Sequence, residues 1–322
     1  MEDRQNPGKM TGIVVKSTGS WYAVLTDEKE VLCRIKGIFR TRGIKSTNPV
    51  TVGDIVDFVM EEKHGNGIIT RIHERKNYII RKSVKLSKQT HIIAANIDIA
   101  FLLVTLDHPP TFPPFIDRFL ATAEAYGIEA VLLFNKVDLY VTEDMIAQKN
   151  ALIALYRKIG YTCLEISVAT RLNIDQVKEL MLGKITMFSG HSGVGKSSLI
   201  NLLDPELNLK TAEISTQHKQ GQHTTTFAEM FVLHTEPVSY IIDTPGIKGF
   251  GVVDFSQEEV GDYFKEIFAL KQHCKFSNCI HVNEPKCAVK EAVESGEIAL
   301  SRYKSYLQIL AGEDENYRTD TF

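Results

Sequence analysis

The sequence predicts a multidomain α/β protein in three parts: an N-terminal β-barrel, a central α/β domain, and a C-terminal helical domain held by a cysteine–histidine cluster. Three observations carry this. Five short strand-like runs crowd into residues 12–72. From 97 to 242, apolar runs alternate with amphipathic helical stretches, the pattern of a mostly parallel sheet covered by helices. Three cysteines and a histidine then fall between Cys274 and Cys287.

Composition bounds the rest. At 322 residues, 43% hydrophobic and 24% charged, the chain has the length for two or three domains with full cores. A net charge of −3 gives no global nucleic-acid signature, so any basic surface is local. No apolar run approaches a membrane span, and the polar stretch from Met1 to Gly8 has no signal-peptide character. Five cysteines, three of them close together, argue against a disulfide framework. They suit a reducing compartment, so the expectation is a cytoplasmic protein with a metal site.

Residues 1–77 are expected to form an OB-like β-barrel after a disordered start over 1–9. Its strands read at 12–16, 21–26, 30–35, 55–60 and 67–72, punctuated by Gly, Asn, Asp and Pro. Such barrels bind RNA through a basic face and aromatics. Arg34, Lys36, Arg40, Arg42 and Lys45, with Phe39 among them and no acidic residue, form one cluster; a solvated loop is the other reading. Across 71–96 the charge shifts again. Arg71, Arg75, Lys76, Arg81, Lys82, Lys85 and Lys88 are opposed only by Glu74. Residues 78–96 read as a basic linker, and the neighbouring cluster favours a surface that contacts an RNA backbone.

The central domain spans 97–254. Strands are expected at 97–104, 130–134, 161–166, 185–188 and 238–242, and helices at 114–126, 142–159 and 174–181. The helical spacing of Leu152, Leu155, Tyr156 and Ile159 supports the second helix. In such sheets ligands sit at the C-terminal ends of strands, and the motifs lie there.

Gly190-His191-Ser192-Gly193-Val194-Gly195-Lys196-Ser197 follows the 185–188 strand, and Ser198 continues into an apolar helix start. Strand, glycine-rich loop and helix together make G-x-x-x-x-G-K-[ST] a phosphate-binding loop. Glycines let backbone N–H groups turn toward phosphate oxygens, and the helix N-terminus adds partial positive charge. Lys196 is expected on the β- and γ-phosphates and Ser197 on Mg²⁺. Asn135-Lys136-Val137-Asp138 follows the 130–134 strand. An Asp carboxylate accepts from guanine N1–H and the N2 amine, a pair adenine does not offer, so Asp138 selects guanine. Asn135 can tie this loop to the phosphate loop, and the Lys136 stem can lie over the base. Ser167-Val168-Ala169, after the 161–166 strand, offers a backbone N–H to guanine O6. Asp243-Thr244-Pro245-Gly246 ends the 238–242 strand as a D-x-x-G pattern. There Asp243 holds Mg²⁺ through water and the Gly246 N–H senses the γ-phosphate. Between these motifs lies a polar switch-like segment, 217–226. One of Thr224, Thr225 and Thr226 is expected on Mg²⁺; the sequence leaves the choice open, with Thr225 as the working candidate.

In most GTPases the phosphate loop precedes N-K-x-D. Here it follows, so the domain reads as a circularly permuted P-loop GTPase α/β domain. Many GTPases also place a water-orienting Gln after D-x-x-G. This chain has Ile247, so slow intrinsic turnover is expected, with His223 of the switch segment as the candidate that positions water.

Residues 255–322 read as a C-terminal helical zinc-binding domain. Ser256 and Glu259 give a capping-box start to a helix over 256–270. Cys274, Cys279, His281 and Cys287 supply three thiolates and an imidazole for a closed, tetrahedral, structural zinc site. His273 is read as a non-ligand. Helices follow at 288–295 and 297–310, and the tail from Gly312 is expected to fray.

The permuted order, the barrel before it and the cysteine cluster after it resemble the bacterial ribosome small-subunit-dependent GTPase A family, the YjeQ/YloQ type, over residues 10–310. G-H-S-G-V-G-K-S at 190–197, G-Q-H-T-T-T at 221–226, D-T-P-G at 243–246 and the Cys/His spacing carry the resemblance. It implies hydrolysis of GTP to GDP and phosphate stimulated by the 30S subunit, binding near the decoding region, and a role in late small-subunit maturation. It also points to His223. The implied partners are the 30S subunit and its rRNA, with no membrane, and the expected state is a monomer. The alternative is an rRNA-binding assembly scaffold with a largely structural nucleotide site, which the absence of Gln at Ile247 keeps open.

Overall fold

The computed structural model describes residues 8–35, 49–61, 65–82, 90–207, 228–243 and 256–312. They fall into two compact units. One draws on the described parts of Met1–Ile99, Lys178–Phe188 and Ile200–Ile247; the other on those of Ala100–Val177, Ser189–Leu199 and Lys248–Phe322.

In the first unit, β1 (Lys9–Ser17), β2 (Tyr22–Leu25), β3 (Glu30–Ile35), β4 (Ile55–Met60) and β5 (Gly67–Ile72) form the expected barrel. Pairing runs β1-β2-β3-β5-β4 and returns to β1, antiparallel except between β3 and β5. Alternation explains the strands. In β3, Val31 and Cys33 face the core while Glu30, Leu32 and Arg34 face out. The interior is filled by Val14, Tyr22, Val24, Val50, Val56, Phe58 and Ile69. Burial there pushes the Cys33 thiol up to about 12, which makes it a core residue and not a nucleophile.

The basic stretch after the barrel is not a plain linker. It carries β6 (Tyr78–Lys82) and β7 (Thr90–Ala95), an antiparallel pair. Tyr78, Ile79 and Ile80 oppose Ala95, Ala94 and Ile92, and buried Ile79, Ala94 and Ala95 outweigh the surrounding charges. Two of the basic residues are also engaged. Arg75 grips the buried Asp54 carboxylate through Nε (2.6 Å) and a terminal nitrogen (2.8 Å), and Lys76 pairs with Asp98 at 2.6 Å. Arg34 pairs with Glu61. Lys36, Phe39, Arg40, Arg42, Lys45, Lys85 and Lys88 lie outside the described residues. The unit is completed by β11 (Ile185–Ser189), β12 (Glu229–Leu233) and β13 (Ser239–Asp243). β13 lies between β11, parallel, and β12, antiparallel.

The second unit holds β8 (Ile99–Val104), β9 (Glu129–Phe134) and β10 (Thr162–Glu165) as neighbours in that order, with β9 and β10 parallel. Every residue of β8 is buried, as a strand covered on both faces requires. α1 (Pro113–Tyr126) begins with two prolines in its first turn and ends at left-handed Gly127. α2 (Glu143–Ile159) starts where the Thr142 hydroxyl accepts from the Met145 N–H, and Gly160 ends it. α3 (Ile174–Met181) and α4 (Lys196–Leu203) match the predicted helices after β10 and β11.

At the C-terminus the single helix expected over 256–270 is broken. A turn at 256–259 leads into a 3₁₀ turn, Val260–Tyr263, and then α5 (Lys265–Lys271). Ser256 does meet Glu259, hydroxyl to carboxylate at 2.7 Å, but Phe264 between the two segments is extended, at φ −111° and ψ 103°. That conformation drives its ring into the core formed with α6 (Ala288–Glu294) and α7 (Leu300–Leu310). Among the described residues, no helix is long and apolar enough to cross a membrane.

Candidate functional site

The nucleotide motifs of the second unit converge on Asn135, the first residue after β9. Its side chain is 1% exposed. Nδ2 donates to the Val194 carbonyl of the glycine loop (2.8 Å), and Oδ1 accepts from the Val168 N–H (3.3 Å). One amide thereby ties N-K-x-D to both the 190–197 loop and Ser167-Val168-Ala169. Lys136 adopts the left-handed conformation, φ 63°, and sends its ammonium to the Gly193 carbonyl (2.8 Å) and the His108 carbonyl. Val137 and Asp138 enter a short 3₁₀ turn. The Asp138 carboxylate is exposed and takes no hydrogen bond among the described residues, so both oxygens are available to a base. Ser167 is buried, with its N–H bonded to the Leu172 carbonyl; Ala169 follows on the surface turn.

The glycine loop explains its own composition. Gly195 has φ 101°, and a Cβ there would stand 2.6 Å from Asn135 Nδ2. Gly190, at φ 143°, has the Leu103 carbonyl oxygen 2.9 Å from where a Cβ would be. Only glycine allows these approaches. Lys196 opens α4 and folds back over the loop, donating to the carbonyls of Gly190 and His191, the latter at 3.2 Å. Ser197 and Ser198 occupy the first turn of α4, where free N–H groups and the helix dipole favour an anion. Val194 is fully buried and anchors the loop, with Ser192 exposed beside it. The His191 ring lies 4.1 Å from the Phe115 ring of α1. Burial, with Lys196 nearby, holds His191 below its ordinary value, so it is neutral near pH 7.

Asp243 is the last residue of β13, in the first unit. His223, Thr225, Gly246 and Ile247 lie outside the described residues.

The second cluster is Cys274, Cys279, His281 and Cys287, whose ligand atoms all lie within 4.8 Å of one another. Cys274 follows α5, Cys287 caps α6, and His281 has φ 58°. Tetrahedral zinc bonds imply sulfur–sulfur edges of about 3.8 Å and sulfur–nitrogen edges of about 3.6 Å. The structure has 3.8 Å for Cys274–Cys287, and 3.6 and 3.4 Å for His281 Nδ1 to Cys274 and Cys287. The donor set fits that ion. Without a cation, burial pushes the Cys279 thiol up to about 12 and holds His281 below its usual value. Glu284 shapes the loop by accepting from the N–H groups of Ile280, Val282 and Asn283 at 2.8–3.1 Å. Burial opposes its ionisation, but those N–H groups outweigh it and hold its carboxyl low. From α7, the Tyr303 and Tyr306 hydroxyls donate to the His281 and Ile280 carbonyls.

The sequence did not single out residues 105–112, the loop after β8. The His108 carbonyl receives Lys136, and Leu106 N–H donates to Tyr140. The only signal was the Pro109-Pro110 turn directly after a buried strand.

The chain is similar to known proteins over nearly its whole length. The model of the RsgA GTPase matches residues 72–253, and that of the RsgA N-terminal domain matches 11–69. The chain is 62% identical over 316 residues to the small ribosomal subunit biogenesis GTPase RsgA of Christiangramia forsetii, covering 97% of this chain and 99% of that one. It is 54% identical to the RsgA of Bacteroides fragilis, over 95% of this chain and 98% of that protein. Its fold is similar to that of YjeQ from Thermotoga maritima, with TM-score 0.77 and 34% identity over 95% of this chain and 99% of that one. It is also similar to YloQ, described as a circularly permuted GTPase, with TM-score 0.75 and 29% identity over 98% and 99%. The permuted motif order, the barrel, the glycine loop locked to N-K-x-D and these matches together place the chain in the RsgA GTPase family.

Proposed function

We propose that this GTPase binds the small ribosomal subunit, hydrolyses GTP in response to it, and acts in that subunit's late maturation in the cytoplasm, as a monomer. The observation that carries the reading is the Asn135 amide, which joins the base-recognition loop to the phosphate loop. The names of the relatives supply the small subunit as partner.

The residues divide the work as follows. Asp138 accepts from guanine N1–H and N2, the Lys136 stem covers the base, and the Ala169 N–H meets O6. Backbone N–H groups from Gly190 to Gly195 cradle the phosphates with the Ser198 turn of α4. Lys196 leaves its own loop carbonyls for the β- and γ-phosphate oxygens. Ser197, Thr225 and Asp243 would hold Mg²⁺, which would supply neutralisation of the phosphate charge, and the Gly246 N–H would read the γ-phosphate. His223 positions the attacking water. Zinc at Cys274, Cys279, His281 and Cys287 is structural. The functional division is 1–77 for the RNA-binding barrel, 78–96 for the basic connector, 97–254 for the GTPase and 255–322 for the zinc domain. The barrel and the basic residues after it meet rRNA through phosphate contacts.

GTP turnover measured with and without purified 30S subunits tests this. Strong stimulation is expected; none would favour the scaffold with a structural nucleotide site. His223→Ala should keep GTP affinity and lose stimulated turnover. Unchanged stimulated kcat would remove His223 from the mechanism.

A further inference from the structure

The geometry points to Tyr140 as a positioning residue for guanine recognition: its hydroxyl fixes the Asn135 backbone to the loop 105–112 and so sets how Asp138 meets the base. The inference rests on the guanine-binding reading above.

Tyr140 comes two residues after Asp138 and is 6% exposed. Its hydroxyl donates to the Asn135 carbonyl at 2.7 Å and accepts from the Leu106 N–H at 3.0 Å. Burial, with the Asp138 and Asp107 carboxylates adding to it and the Leu106 N–H opposing, pushes the phenol above its ordinary value, so it stays a donor. The loop it grips is itself cross-tied. The Thr105 carbonyl accepts from Thr111 N–H (2.7 Å), the Thr111 hydroxyl accepts from Thr105 N–H (3.2 Å), and the Thr105 hydroxyl donates to the Pro109 carbonyl. A second link, Lys136 ammonium to His108 carbonyl, joins the same two segments.

Asn135 is therefore held at both ends. Its side chain is fixed by Val194 and Val168, its carbonyl by Tyr140. Asp138, three residues on, has no hydrogen bond of its own among the described residues to aim it. Its direction depends on the turn that Asn135 and Tyr140 bracket. A phenyl ring at 140 would fill the same space, leave the buried Asn135 carbonyl unpaired and take the partner from the half-buried Leu106 N–H.

The test is calorimetric binding of GDP and IDP, which lacks the N2 amine, to the full chain and to Tyr140→Phe, with thermal unfolding as a control. The wild type should prefer GDP. Tyr140→Phe should lose about tenfold in GDP affinity, the scale of one hydrogen bond, and much less in IDP affinity, so the preference collapses. An unchanged ratio, whether affinity holds or falls equally for both, overturns the role assigned to Tyr140. A wild type that binds both equally overturns the guanine reading instead. Hydrogen exchange of the Leu106 amide in the wild type gives a measurement that does not depend on the variant folding. GDP should slow it, and no change counts against the link.

Discussion

Arg302 offers the sharpest test of how the second unit is held together. Its guanidinium is 1% exposed and bonds Asp117 of α1 at 2.8 Å and Glu266 of α5 at 2.6 and 3.1 Å, with its carbon 4.6 Å from the Phe264 ring centre. Asp117 is fully buried. Its Oδ1 also accepts from the Tyr156 hydroxyl of α2 at 2.8 Å, while Oδ2 has no partner among the described residues. Arg302→Met keeps the stem and deletes the charge, stranding a buried carboxylate. Breaking such a pair from one side costs about 3–5 kcal/mol, a large part of the roughly 5–15 kcal/mol that holds a domain. The pH dependence has a definite sign. Burial raises Asp117 above its usual 3.8 in the folded chain, against the pull of Arg302, and deleting Arg302 raises it further. The folded variant then binds that proton more tightly than the unfolded chain. Its stability falls as pH rises from the unfolded value through the folded one, so its deficit is largest above the folded value and shrinks as pH falls back toward the unfolded one. Urea unfolding followed by helical circular dichroism measures this. Asp117→Asn combined with Arg302→Met should recover much of the loss. A single-variant cost under about 1 kcal/mol near pH 7, or a double variant no better than the single, would refute the reasoning.

The two ligand sites make equally direct predictions. Asp138→Asn replaces one acceptor oxygen with a donor, so GTP affinity should fall about a hundredfold while xanthosine triphosphate, whose C2 carbonyl accepts, gains; competition binding reads both. Cys279→Ser should lower the zinc content of purified protein and destabilise the loop between α5 and α6, measured by metal analysis and thermal unfolding; full zinc occupancy with unchanged unfolding would count against the assigned ligand.

How much of this was legible in the sequence depended on how local the cause was. β3 was readable because Val31 and Cys33 alternate with Glu30, Leu32 and Arg34, a signal contained in the strand itself. N-K-x-D and the glycine loop were readable because phosphate and guanine chemistry dictate residue types at fixed spacing. The helix expected over 256–270 failed for a tertiary reason. The Ser256–Glu259 pair is present, but Phe264 gains more from an extended backbone that buries its ring than from continuing a helix. The β6–β7 pair was hidden because basic residues on either side drew attention from Ile79, Ile80, Ile92 and Ile93. β12 was missed although Met230 to Leu233, followed by a Pro237 turn and another strand, fits a hairpin. Tyr140 and Phe115 carry no sequence signal, since their roles exist only once the 105–112 loop and the glycine loop lie beside them.

α1 is the element on which both sites of the second unit depend. Phe115, in its first turn, packs against His191 of the glycine loop. Asp117, two residues on, is clamped by Arg302 of α7. Ala121, a turn further, belongs to the core that includes Cys287, Val289 and Tyr306. α7 in turn holds the loop of the metal cluster through Tyr303 and Tyr306. Close-packed interiors transmit displacement because side chains cannot be compressed into neighbours. A rotation of α1 that carried Phe115 away from the glycine loop would also pull Asp117 against a guanidinium fixed on its other side by Glu266. The buried ion pair therefore does more than join helices: it sets the rotational position of α1, and with it the wall against which the phosphate-binding loop is built.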